Sequence, residues 1–83
     1  MSKSLIVLGR GGVEGFLSQQ SIGTNALNAM ASIQWVTNSE IVEESDEQVK
    51  LTFNWVGEEN FFWRLDEQLV KYGLVLVDIK KLE

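Results

Sequence analysis

The sequence predicts a single α+β domain over residues 1–83: a two-layer sandwich in which an antiparallel sheet carries two helices on one face. Three observations predict it. Val49, Leu51, Phe53 and Trp55 alternate with Lys50, Thr52 and Asn54, the period of a strand with one buried face. Two segments, near 24–34 and 58–72, place apolar residues at helical spacing. Short apolar runs lie near both ends of the sequence, at Ser4–Leu8 and Leu74–Ile79. The resulting βαββαβ order is that of a split βαβ, or ferredoxin-like, sandwich, in which the first and third strands are central and the second and fourth are edges. Such an order carries no function with it.

Each element has its own signal. Ser4–Leu8 is a buried strand that stops at Gly9, and Gly9-Arg10-Gly11-Gly12 is expected as a turn. Residues 13–21 fit either the first turns of a helix or a returning strand. Thr24 or Asn25 is the expected N-cap of the first helix, because either side chain can accept from an unpaired first-turn amide. Behind it Ala26, Ala29, Met30 and Ile33 form one apolar face. Residues 36–43 and 48–56 should pair as a hairpin around the polar turn Glu43-Glu44-Ser45-Asp46-Glu47. The second helix has Glu58 and Glu59 at its expected start and Lys71 near its end, as the helix dipole favours, with Gly73 as C-terminal cap. Trp35 and Trp55 are assigned to the core.

Composition limits the chemistry. The chain has 83 residues, no cysteine, no histidine and no proline, and 45% of its residues are hydrophobic. That fraction suits a folded domain. Without cysteine there is no disulfide framework, thiolate metal site or Cys nucleophile, which favours a reducing compartment. No secretory signal or membrane-length apolar run is visible, so a soluble cytoplasmic protein is expected, in the host cytoplasm if phage-encoded. The net charge is −5 and uneven: residues 40–67 hold nine acids against Lys50 and Arg64. Direct binding to nucleic acid is disfavoured, since that affinity needs clustered Lys and Arg. A basic protein partner suits the acidity, which also serves plain solubility.

Four features are candidates for function. The glycine-rich stretch 9–15 follows a strand, but Glu14 stands where a dinucleotide fingerprint needs glycine, and no Gly-Lys-Ser/Thr follows. Arg10 within it can contact a carboxylate, including one of the hairpin turn. The acidic turn, with Glu43, Glu44, Asp46 and Glu47, lacks the alternating Asp/Asn and central glycine of a calcium loop, so no metal or cofactor is expected. It reads either as a solvated hairpin tip or as a surface for a basic partner, with the reversals Glu43→Lys and Glu44→Lys then abolishing binding.

In the second helix, with residues turning by about 100° each and Phe61 as origin, Leu65, Leu69, Tyr72 and Phe62 share one arc of roughly 100°. Trp63 and Val70 lie opposite at about 180–200°, among Glu59, Asp66 and Glu67. A helix on one sheet has no second core, so this stripe reads as a contact surface with an aromatic anchor. Finally, the last strand is an edge with only Asp78 as an interior charge, open to a second copy or an added strand.

Catalysis is not expected. The usual general base is missing with histidine, and no Gly-x-Ser-x-Gly elbow is present. The sequence therefore points to a small acidic protein-interaction or regulatory module. Accessory or inhibitor proteins of bacteria or phages have this size and charge. The alternative is a small-ligand-binding regulatory homodimer using the Gly9–Gly12 turn, and a structural oligomer subunit ranks third. Self-association would use the edge strand or the Trp63 face.

Overall fold

The computed structural model describes residues 2–11, 20–56 and 62–82, with the backbone alone for Ser2 and residues 62–64. Its elements are β1 (Ser2–Arg10), α1 (Ile22–Ala31), β2 (Val36–Glu44), β3 (Gln48–Trp55), α2 (Phe62–Lys71) and β4 (Leu74–Lys81). The strands form one antiparallel sheet in the order β2-β3-β1-β4. β1 and β3 are thus central and β2 and β4 are the edges, as the patterning predicts. Most of residues 13–21, ambiguous in sequence, lie outside the described residues.

The alternation along β3 builds the core directly. Val49, Leu51, Phe53 and Trp55 are buried, while Lys50, Thr52 and Asn54 face the other side. In β1 the buried set is Ser4, Ile6 and Leu8. Ile22, Ala26, Ala29 and Met30 of α1 and Leu65 and Leu69 of α2 pack on these strands, giving one core between the sheet and both helices. Trp55 belongs to it, and Trp35 packs against it half-buried. Ser4, fully buried, is there for a partner: the Trp55 indole Nε1–H donates to its Oγ at 2.8 Å. A buried indole N–H needs such an acceptor. Lys81 lies above the same ring, 6.0 Å from its centroid.

Three boundaries differ from the patterning, each for a local reason. Gly9 and Arg10 belong to β1, not to a turn, because Gly9 pairs with both Gln48 and Val75. The absent side chain leaves room for Val77 and Val75 over the backbone: an added Cβ would meet their methyls at 3.3 and 3.5 Å. The N-cap of α1 is Ser21 rather than Thr24 or Asn25, its Oγ accepting from the Thr24 amide at 3.1 Å. The helix also ends earlier, at Ala31, where the Ser32 hydroxyl donates to the Ala29 carbonyl at 2.6 Å and competes with continued helix.

Among the described residues, Gly73 (φ 70°) and Asn38 (φ 54°) occupy the left-handed region. Gly73 follows α2 as the expected cap, its amide donating to the Val70 carbonyl at 3.1 Å. Asn38 sits at an irregularity in β2, where pairing with β3 shifts between Thr37 and Glu40. The two positions should respond oppositely to substitution. Gly73→Ala is expected to lose about 1 kcal/mol, since a Cβ is disfavoured at positive φ. Asn38→Gly should be neutral or slightly stabilising, because glycine takes that conformation without the Cβ penalty. Urea denaturation midpoints of the two variants beside wild type check both signs.

Candidate protein-binding surface

The β2–β3 hairpin holds the largest group of exposed acids among the described residues. Its turn is tightly made. The Ser45 amide donates to the Gln48 carbonyl at 2.8 Å, and the Ser45 Oγ accepts from the Gln48 amide at 3.1 Å. Arg10, at the end of central β1, then fastens the tip from outside. Its Nε donates to the Asp46 carbonyl at 2.9 Å and its backbone amide to the Glu47 carbonyl at 3.3 Å. A terminal guanidinium nitrogen donates to the Gln20 carbonyl at 3.3 Å, tying in the approach to α1. The sequence placed Arg10 beside the acidic turn, and the contact exists. It is made to backbone carbonyls, which hold the tip's shape whatever side chains the tip carries.

The acids themselves point to solvent. Glu40, Glu43, Glu44, Asp46 and Glu47 are all exposed. Glu43 faces the side of the sheet away from the helices, 3.7 Å from the Lys50 ammonium. That pair is exposed, so it contributes little to stability. Glu44 faces the other way. Its carboxylate lies against Gly23, the second residue of α1; a Cβ at Gly23 would overlap the Glu44 carboxylate and approach the Ile41 Cδ1 to 2.8 Å. That places a negative group on the positive end of the α1 dipole. Two acids adjacent in sequence thus have different jobs.

The second stripe is displayed as the helical wheel predicts, as far as it is described. Leu65 and Leu69 of α2 are fully buried, while Asp66 and Glu67 are exposed and Val70 is 64% exposed. Trp63 is described by its backbone alone, within α2, and Glu59 lies outside the described residues. α2 packs on β4 and α1 on β2 and β3, so the hairpin acids and the α2 stripe occupy opposite flanks of the domain. They form two separate surfaces.

The helix-free face of the sheet was not singled out by the sequence. Val75 and Val77 of β4, 45% and 51% exposed, stand over Gly9 and wall a shallow hollow of about 290 Å³, also lined by Arg10, Glu47 and Gln48. Val75 and Val77, two residues apart, share that face by alternation. The register shift opposite Val7/Leu8 then brings Asp78 and Lys80 to the same face, which alternation alone would have turned to the helix side.

Among the described residues, no group of three or more Asp or Glu side chains is arranged to hold a metal ion. No described helix is long and apolar enough to cross a membrane. No protein-family model matches this chain, and no curated protein or solved structure is significantly similar to it.

Proposed function

We propose that this chain is a protein-binding module that docks on a basic surface through the β2–β3 hairpin, with the outer stripe of α2 available as a second contact. One observation carries the proposal: Arg10 and the Ser45 turn hold the hairpin tip through backbone carbonyls, leaving the carboxylates of Glu43, Asp46 and Glu47 outward. A surface ordered before binding loses less entropy on association. A row of carboxylates is complementary to a lysine- or arginine-lined groove and steers the encounter from a distance. In this proposal the module is a cytoplasmic accessory or inhibitory protein, built on ferredoxin-like connectivity, and it acts by occupying its partner rather than by catalysis.

The hollow above Gly9 favours the alternative, a small-ligand regulatory domain. Arg10, the cation that lines it, already donates to the Asp46 and Gln20 carbonyls, so an anionic ligand would compete with the clamp. The hairpin is the better supported site.

Affinity capture from the native host lysate tests the docking proposal, with wild type beside Glu43→Lys/Glu47→Lys. A partner retained by wild type, eluted by moderate salt and lost with the double variant is the expected result. Equal capture by both proteins removes the hairpin as the docking site.

A further inference from the structure

We infer that the helix-free face of the sheet is a self-association surface, on which a second copy of this chain packs face to face. The edges are poor candidates for that role. β4 is broken by an irregularity between its pairings with Val7 and Leu8, and it carries Asp78, Lys80 and Lys81. β2 is irregular at two places and carries Glu40, Glu43 and Glu44. Bulges and charges are how edge strands resist adding another strand. The face between them has an apolar centre among the described residues. Leu5 and Val7 are half-buried at its centre, and Val75 and Val77 are exposed beside them.

Charge identifies the occupant. The protein is net −5, and most partners chosen by that charge would be basic. This face differs. Among the described strand residues, alternation and register display Glu40, Glu43 and Asp78 on it against Lys3, Lys50 and Lys80, which balance. It is therefore a surface on which an acidic chain can meet its own copy without bringing its excess negative charge together. Asp46 and Glu47 remain on the hairpin tip, and Asp66 and Glu67 on the helix side.

The charges are also arranged to be self-complementary. Register places Glu40, Thr52, Leu5 and Lys80 in one row across all four strands, with the acid at the β2 edge and the cation at the β4 edge. A two-fold axis parallel to the strands lays β2 of one copy over β4 of the other and β3 over β1. Glu40 then meets the partner's Lys80, and the symmetry makes that pair twice. In the same arrangement Gln48 stands over the partner's Gly9, where the hollow of about 290 Å³ can receive a side chain. Asp78 faces the partner's Glu43, whose charge is already balanced by Lys50 at 3.7 Å. Packed sheets lie about 10 Å apart and cross at roughly 30°, a rotation that long Glu and Lys side chains can span.

Sedimentation equilibrium of the full chain at micromolar concentrations tests this. Wild type should show a concentration-dependent dimer. Glu40→Lys and Lys80→Glu should each weaken it about tenfold or more, since each reversal breaks two symmetric pairs and adds like-charge contacts. The double reversal Glu40→Lys/Lys80→Glu should restore the dimer. A second double variant, Glu47→Lys/Lys80→Glu, keeps the same net charge without rebuilding the pair and should stay weakened. A wild type that is monomeric throughout overturns the inference. So does a Glu40→Lys/Lys80→Glu protein that remains as weak as the single variants, or a Glu47→Lys/Lys80→Glu protein that recovers equally well. Sedimentation of the purified chain involves no basic partner, so the outcome is independent of hairpin docking.

Discussion

Trp55→Ala is expected to lose about 3–5 kcal/mol and to leave the domain largely unfolded in mild denaturant. Trp55 is 2% exposed, closes the core at the end of β3, and is hydrogen-bonded to Ser4 on β1. A domain of this size has roughly 4–12 kcal/mol of stability in all, so a loss of that order removes a large part of it. Milder substitutions separate packing from hydrogen bonding. Trp55→Phe keeps most of the apolar volume and leaves the Ser4 hydroxyl unpaired; Ser4→Ala leaves the indole N–H unpaired. Each should cost about 1–3 kcal/mol, the penalty of a buried polar group without a partner. The double variant has neither orphan, so it should cost about 1 kcal/mol or more less than the sum of the singles. Urea denaturation of the four proteins measures the coupling. Strict additivity would show that the Ser4–Trp55 bond adds nothing to stability.

That bond also marks where sequence patterning stops. Alternation is local: each residue's side follows from its neighbours, and this made β3, the core tryptophan and the inward face of α2 legible. Ser4 opens an apolar run, and nothing nearby says that its hydroxyl will be fully buried. Its reason is an indole 51 residues away. Gly9 is similar. Glycine after an apolar run suggests a turn, yet here it remains in the central strand because two valines of β4 pack across it. The N-cap was misplaced for a smaller reason. Ser21, Thr24 and Asn25 are all competent caps, and the choice rests on which one keeps extended backbone (ψ 151° at Ser21). Of the candidate site, the acidic turn and its closeness to Arg10 were legible. The direction of each carboxylate was not, because it depends on the register of β2 against β3 and on what α1 sets beside it.

Those directions lead to different outcomes for two acids that the sequence treats alike. Glu43→Lys should leave stability nearly unchanged. Glu43 is exposed and its contact with Lys50 is a solvent-screened pair, so the reversal costs a few tenths of a kcal/mol at most. Glu44→Lys should be destabilising by about 1 kcal/mol, because it replaces a carboxylate on the first turn of α1 with a cation at the positive end of the helix dipole. For a domain this short, that lowers the melting temperature by roughly 4–8 °C. Glu44→Gln should fall between the two. Thermal unfolding at low and high salt checks the cause: the Glu44→Lys deficit should shrink as salt rises, since a dipole interaction at an exposed site is screened. A deficit unaffected by salt would point instead to lost packing against Gly23 and Ile41. The difference decides how docking can be tested. A loss of partner binding in Glu44→Lys could follow from a loosened α1 alone, whereas the same loss in Glu43→Lys, with the melting temperature kept, would belong to the docking surface.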